Sequence, residues 1–214
     1  MKVSLYVVRH GQTHANARGV LQGHQDSPLT ALGVQSSANT GKALQGINFN
    51  VVFSSDLGRA QDTLCQIGYK TADKFDKRLR ERDYGAWSGK PWVEYKNASK
   101  RNNGTSNEFY HSLPGVETDD KLLMRWSEFF YEMLKNFKDN TPEKNVLIVT
   151  HGGMIRVITK HLMQFSSRPL GLNLAHCGIG NNSISVFELE VSDSDIINCD
   201  VVKVFDCKHL ARAC

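Results

Sequence analysis

The stretch VVRHGQTHAN, residues 7–16, ends an apolar run with an arginine, a histidine and a glycine. The run over residues 3–8 is continuous and rich in β-forming side chains, which is typical of a strand buried on both faces. An unpaired charge taken out of water costs several kcal/mol. Arg9 and His10 therefore lie either at an ordinary exposed strand end or where a bound group offsets their burial.

Apolar strand patterns and helical patterns alternate along the rest of the chain. The further predicted strands are rich in apolar side chains and cover residues 49–55, 145–150 and 183–191. One predicted helix begins after the N-cap candidate Thr30. The other predicted helices cover residues 56–68, 117–137 and 152–163. This order predicts an α/β fold, a three-layer α/β/α domain with a mostly parallel sheet.

The length and composition favour a single domain over residues 1–214. Its 214 residues suit one domain with a small addition, and 22% charged with 40% hydrophobic residues is ordinary for a globular protein. Residues 78–107 are polar and rich in Gly, Asn, Lys and Ser, with a short helix expected near WVEYK. We expect this segment to fold over the strand ends as a partial cap.

The charge and cysteine content exclude several classes of protein. The 26 basic and 22 acidic residues give a net charge of +4, which is too small to argue for nucleic-acid binding. No apolar stretch approaches the ~20 residues of a membrane span, and no signal peptide is expected. The five cysteines are widely spaced without a Cys-x-x-Cys pair, which favours a reducing, cytoplasmic location over a disulfide framework.

Three of the predicted strands end in polar residues, with RHG, SSDLGR and THGG following them in turn. The carboxyl ends of parallel strands meet at one edge of a sheet, where ligands bind. His10, Arg59 and His151 are therefore expected to lie together, with Arg9 beside them. Bidentate guanidinium groups and helix N-termini form the kind of site that binds a phosphate dianion.

Each of these residues also has a simpler interpretation. Arg59 could pair with Asp56 or Asp62 on its own helix, and His151 could merely cap the helix that follows it. A metal site built from His10, His14 and His151 is disfavoured because two arginines in the same pocket would repel a divalent cation.

The sequence resembles the histidine phosphatase superfamily, in the branch that includes the cofactor-dependent phosphoglycerate mutases. VVRHGQTHAN is similar to the R-H-G-[EQ]-T-x-x-N signature of that family. The resemblance continues, in order, through VVFSSDLGRAQDTL, LRERDYGAWSGKP, LPGVETDDKLLMRW, VLIVTHGGMIRVI and GNNSISVFEL. The resemblance covers nearly the whole chain, whereas an R-H-G motif alone would be weak evidence for the family.

The resemblance implies a role for each matching residue. His10 would be the nucleophile that takes up the phosphoryl group, and Glu81 the general acid and later the base, with Asp83 as its rival. The groups that hold the phosphoryl oxygens would be Arg9, Arg59 and His151. The other substrate-pocket positions would be Asn16, Gln22, Gly23, Tyr84 and Gly152. His24 is expected to flank the pocket.

The implied function is hydrolysis of small phosphorylated metabolites through a phosphohistidine, without a metal or an organic cofactor. A cofactor-dependent mutase and a non-catalytic phospho-ligand-binding relative are the alternatives. The chain is shorter than typical mutases of the family, and RDYGAWSGKP resembles the phosphatase branch. Two positions depart from the family pattern, Gln12 in place of the commoner glutamate and Val116 in PGVET. The substrate and the oligomeric state are left open.

Overall fold

The computed structural model describes residues 1–102, 113–137, 143–168, 171, 174, 177–192 and 195–210. Within these residues six strands form one sheet. The strands are β1 Lys2–Arg9, β2 Val51–Ser54, β3 Lys74–Phe75, β4 Glu143–Thr150, β5 Ile184–Ser192 and β6 Asp195–Asp206. The α-helices are α1 His14–Ala17, α2 Ala31–Ala43, α3 Gly58–Ile67, α4 Trp92–Asn102, α5 Asp119–Asn136 and α6 Gly152–Leu162.

The strands follow the order β3-β2-β4-β1-β5-β6 across the sheet. The pairs β1–β4, β2–β4 and β2–β3 are parallel, whereas β5 is antiparallel to both β1 and β6. Only β5 therefore runs against the other strands, which confirms the prediction of a mostly parallel sheet. The carboxyl ends of β2, β4 and β1 lie side by side at the centre of one edge.

Helices cover both faces of the sheet, which confirms the three-layer prediction. On one face, α5 and α6 bury a large apolar cluster against the strands. On the other face, α3 and Leu44, the C-cap residue of α2, bury a second cluster. Trp126 on α5 is fully buried in the first cluster, and its Nε1 donates to Nδ1 of His161 at 3.1 Å. Most of the favourable free energy of folding comes from this apolar burial, because each fully buried large side chain contributes roughly 1.5–3 kcal/mol.

The polar segment from residue 78 packs beside the strand ends through a small apolar cluster of its own. Tyr84 and Tyr95 form this cluster with Leu21 and Leu113. A β-bridge between Val20 and Pro91 joins the segment to the chain that follows α1. That residues 78–107 form a partial cap stays a prediction, and residues 103–107 lie outside the described residues.

In the part of the chain that the structure describes, none of the helices has the length and apolar character needed to cross a membrane. The described cysteines, Cys65, Cys177, Cys199 and Cys207, are all free thiols.

Candidate active site

A cavity of about 420 Å³ opens among the residues that follow β1, β2 and β4. Nine of the ten site residues expected from the sequence line it: Arg9, His10, Asn16, Gln22, Gly23, Arg59, Glu81, Tyr84 and Gly152. The tenth, His151, lies directly behind His10, with the two ring centroids 5.1 Å apart. The sheet topology thus brings together residues that are up to 143 positions apart in sequence, from Arg9 to Gly152.

The imidazole of His10 is fixed by its own backbone. The side chain is 2% exposed, and its Nδ1 lies 2.8 Å from the carbonyl oxygen of Gly11. A carbonyl oxygen only accepts, so Nδ1 carries the hydrogen and Nε2 is left with a free lone pair. The backbone is held as well, because Gly11 N donates to Oγ1 of Thr63 at 2.8 Å. The ring therefore presents an unprotonated nitrogen to the cavity in a fixed orientation.

The surroundings of His10 keep it uncharged. Burial lowers the pKa of His10 well below its ordinary value, and the guanidinium groups of Arg59 and Arg9 lower it further. A neutral imidazole can act as a nucleophile, whereas an imidazolium has no lone pair to donate.

Replacing His10 by asparagine should flatten the pH dependence of the free energy of unfolding below about pH 6.5. A histidine with a lowered pKa in the folded state stabilises the fold fully above the unfolded pKa. As the pH falls below that value the unfolded chain takes up the proton first, so stability is lost at up to about 1.4 kcal/mol per pH unit. Urea denaturation of the ligand-free protein at several pH values measures this slope. The exposed His14, replaced by asparagine, is the matched control. An unchanged slope in the His10 variant would contradict the buried, neutral imidazole.

Arg59 is held by the loop that follows α1. Its side chain is 1% exposed, and Nη2 donates to the carbonyl oxygen of Gly23 at 2.8 Å, while Nη1 donates to that of Gln25 at 2.8 Å. Its ion-pair partner is Asp26, with Nη1 and Oδ1 3.2 Å apart. The alternative that Arg59 pairs with Asp56 or Asp62 is therefore wrong.

Arg9 in the opening motif and Arg59 on α3 each have a buried N–H group that is unpaired in the described part of the chain. Nε of Arg9 and Nε of Arg59 are buried without a hydrogen-bond partner among the described residues. Arg9 is oriented by a hydrogen bond from its Nη1 to the carbonyl oxygen of Ile179. Gly152 lies beside it, and a Cβ there would be in ordinary van der Waals contact with Arg9 Nε, at 3.4 Å. A buried, unpaired guanidinium N–H is a donor suited to an anionic ligand.

His151 precedes α6 but does not cap it through its side chain. Its Nε2 lies 2.8 Å from Oγ of Ser55, which itself accepts a hydrogen bond from Leu57 N at 3.3 Å. When the Ser55 hydroxyl donates to Nε2, the hydrogen of the neutral ring lies on Nδ1, which is buried and unpartnered in the described part of the chain. Burial lowers the pKa of His151 well below its ordinary value, and Arg59 and His10 lower it further. The interpretation of His151 as a helix cap is wrong for its side chain.

Glu81 is anchored to the first turn of α6. Gly153 N donates to its two carboxylate oxygens at 3.0 and 3.1 Å, and Arg82 N donates to Oε1 at 2.8 Å. A Cβ at residue 153 would lie 2.2 Å from Oε1, so only glycine permits this approach. The carbonyl oxygen of Glu81 accepts from His24 Nε2 at 2.9 Å and from Arg125 Nη2 at 3.0 Å. The carboxylate is thus held at the cavity wall by main-chain donors.

Asp83, the rival of Glu81, has a different environment. One of its carboxylate oxygens accepts a hydrogen bond from Gly85 N at 2.8 Å and so closes a local turn. Glu81 and Tyr84, which precede and follow Asp83 in the sequence, line the cavity, whereas Asp83 is not among its lining residues. The geometry therefore favours Glu81 as the group that meets a ligand.

Two carboxamides line the cavity with their oxygens held by the protein. Oδ1 of Asn16 accepts from Thr13 N at 3.2 Å and from Asn181 Nδ2 at 3.2 Å. Oε1 of Gln22 accepts from Oγ1 of Thr13 at 3.1 Å. Because the oxygens are engaged, the NH₂ groups are the ends that can donate to an anion.

The two departures from the family pattern lie near the cavity rather than in it. Oε1 of Gln12 accepts from Oγ1 of Thr30, the N-cap residue of α2, at 2.9 Å. The neutral carboxamide thereby links the motif loop to the start of that helix. Val116 packs against the apolar cluster of Tyr84 and Tyr95, so it supports the wall to which Tyr84 belongs.

The family model described as histidine phosphatase superfamily (branch 1) matches residues 5–198. The chain belongs to the histidine phosphatase superfamily. It is 31% identical over 171 residues to the fructose-2,6-bisphosphatase TIGAR of Xenopus laevis, with 77% of this chain and 62% of that protein covered. It is 32% identical over 168 residues to a broad-specificity phosphatase of Saccharomyces cerevisiae, with 75% and 70% covered.

The fold is also similar to that of a solved member of the superfamily. A phosphoglycerate mutase from Bacillus anthracis superposes with a TM-score of 0.80 at 26% identity, over 99% of this chain and 96% of that one. Phosphatases and a mutase thus both occur among the similar proteins. The chain spans less than two thirds of the length of the amphibian relative.

Some residues of this histidine phosphatase cavity were missed by the sequence analysis. The further charged or aromatic side chains that line the cavity are Arg82, Trp92 and Arg156. Arg156 follows Gly152 by four positions, so helical periodicity placed it on the cavity side of α6 and could have revealed it. Arg82 is adjacent to Glu81 in LRERDYG, where a charge-rich loop gives no sign of which side chain is buried. Ser55 behind His151 had no sequence signal beyond its place after β2.

The described part of the chain holds no group of three or more His, Cys, Asp or Glu side chains that could bind a metal ion. His14, which would have shared a metal with His10 and His151, is exposed on α1.

Proposed function

We propose that this protein hydrolyses small phosphate monoesters through a phosphohistidine formed on His10. The observation that carries the proposal is the imidazole of His10, oriented through Nδ1 and neutral. It lies in a cavity lined by Arg9 and Arg59, each of which has a buried Nε without a partner among the described residues. Membership of the superfamily supports the same reaction. The substrate is a small phosphorylated metabolite, because a cavity of about 420 Å³ admits a small molecule.

In the first step Nε2 of His10 attacks phosphorus, and the bond between phosphorus and the ester oxygen breaks. Charge on the three equatorial oxygens is stabilised by donors from Arg9, Arg59 and Nδ1 of His151. These donors are fixed by the protein before the substrate arrives, so little reorganisation opposes the reaction. The leaving oxygen takes a proton from Glu81.

In the second step water attacks the phosphohistidine. Glu81, now a carboxylate, accepts a proton from the water as its oxygen bonds to phosphorus. The P–N bond breaks, His10 regains its lone pair, and inorganic phosphate leaves. Gly153 N holds the carboxyl group of Glu81 at the cavity wall.

The rate of hydrolysis should persist when the dialysed protein is assayed in excess EDTA. Guanidinium and imidazole donors supply the charge stabilisation that a divalent cation provides in metal-dependent phosphatases. Initial rates on one phosphate ester with and without the chelator test this, and vanadate should inhibit competitively. Activity that disappears in EDTA and returns with magnesium or zinc would refute the metal-free mechanism.

A phosphoglycerate mutase is the second candidate, supported by the likeness to the solved mutase. The two reactions differ in the group that accepts the phosphoryl group from the phosphohistidine. In a phosphatase the acceptor is water, and in a mutase it is a second oxygen of the substrate. Incubation with 3-phosphoglycerate and a trace of its bisphosphate separates them. Release of inorganic phosphate supports the phosphatase, and accumulation of 2-phosphoglycerate without free phosphate supports the mutase.

A further inference from the structure

Arg156 lines the cavity, and the proposed reaction does not use it. It lies on α6, four residues after Gly152, where the helix begins at the phosphoryl-binding wall. Side chains of a helix tilt towards its N-terminus, so Arg156 reaches back towards the cavity. Its Nη2 donates to the carbonyl oxygen of Cys177 at 3.0 Å, which fixes the plane of the guanidinium. Its Nη1 is buried without a hydrogen-bond partner among the described residues.

Each of the other arginines that line the cavity either has its charge balanced by a carboxylate or binds the phosphoryl oxygens in the proposed reaction. Arg82 donates from Nη2 to Asp119 and from Nη1 to the carbonyl oxygen of Glu117. Arg59 is paired with Asp26. Arg156 makes no salt bridge within the described ranges of the chain. Its positive charge and one buried donor are therefore available to a ligand.

The place of Arg156 is separate from the phosphoryl site but close to it. A rise of 1.5 Å per residue puts it about 6 Å along α6 from Gly152. Gly153, which anchors Glu81, lies between these two positions on the helix. Glu81, which meets the leaving oxygen in the proposed reaction, and Arg156 line the same cavity.

We propose that Arg156 forms a subsite for a second anionic group, a carboxylate or a phosphate, carried by the leaving group of the substrate. This inference rests on the proposed function and specifies its substrate class as small monoesters with two anionic ends. A charge-assisted hydrogen bond from a fixed guanidinium favours such an ester over a neutral analogue by about 10- to 100-fold.

A matched pair of esters tests the subsite. In glycerol 3-phosphate a hydroxymethyl group replaces the carboxylate of 3-phosphoglycerate, and the rest of the molecule is the same. Replacing Arg156 by methionine should lower the ratio of kcat/KM for the glycerate over the glycerol ester by about 10- to 100-fold, mainly through KM. Lys160, exposed one turn further along α6, is the control, and Lys160→Met should leave the ratio unchanged. Arg156→Lys should restore part of the ratio.

A second pair distinguishes the two anions. Propane-1,3-diol bisphosphate and 3-hydroxypropyl phosphate repeat the comparison with a phosphate in place of the carboxylate. The pair whose ratio falls more in Arg156→Met identifies the anion for which the subsite is suited. Unchanged ratios for both pairs, or an equal fall in Lys160→Met, would overturn the subsite.

Binding separates this inference from the proposed reaction. Calorimetric titration of His10→Ala protein with the two three-carbon esters needs no turnover. A preference for the glycerate ester that Arg156→Met abolishes supports the subsite even if the wild-type protein hydrolyses neither ester, in which case only the reaction fails. Equal affinities for both esters in the His10→Ala protein would overturn the subsite.

Discussion

Replacing His10 by alanine is expected to abolish phosphoryl transfer, with a fall in kcat of at least about 10⁴-fold. His10 is the cavity-lining imidazole whose Nδ1 is fixed by Gly11 O, so its Nε2 alone is aligned to attack phosphorus. The second imidazole, His151, has its Nε2 engaged by Ser55. It therefore cannot take over as the nucleophile without breaking that contact.

Rapid quenching with a radiolabelled ester shows where the phosphoryl group goes. The wild-type protein should carry an acid-labile, base-stable adduct on His10, and His10→Ala should carry none. His14→Ala removes an exposed histidine from the neighbouring helix and should behave as the wild type. Circular dichroism checks that the His10 variant is folded. An adduct on another residue, or substantial turnover by His10→Ala, would rule out the assignment.

Replacing Glu81 by glutamine is expected to slow phosphorylation of the protein by an alkyl phosphate about 10²–10⁴-fold. This corresponds to roughly 3–5 kcal/mol of barrier. An alkoxide is a poor leaving group and needs the proton that Glu81 supplies in the proposed reaction. The p-nitrophenolate ion leaves readily without a proton, so the same variant should lose far less with p-nitrophenyl phosphate. Glutamine keeps the size of the side chain, and its oxygen can still accept from Gly153 N.

The rate of enzyme phosphorylation by each ester in a single turnover is the measurement needed. Steady-state turnover would mix this step with the attack of water, in which the proposed reaction also assigns a role to Glu81. Asp83→Asn is the matched control, because Asp83 closes a turn to Gly85 and its loss should affect both esters alike. Equal losses for the two esters in Glu81→Gln would show that another group is the acid.

The strands and helices that build the centre of the fold were predictable because their patterns are local. The apolar runs became β1, β2 and β4, and Thr30 caps α2 by accepting a hydrogen bond from Gly33 N at 3.0 Å. The edge strands β3 and β6 were not predicted. β3 has only two residues, and β6 is buried intermittently along one edge, so neither carries a clear apolar period.

The sequence by itself determined the order of the central elements and half of the residues that line the cavity, since strand ends and a family motif are local features. The tertiary structure alone decided which groups face one another there. Arg59 pairs with Asp26 across 33 positions, and Glu81 meets Gly153 across 72. Such partners follow from how helices and loops pack at the sheet edge, which no local pattern encodes. Packing likewise left Nη1 of Arg156 buried without a hydrogen-bond partner among the described residues, while its Nη2 donates to the carbonyl oxygen of Cys177.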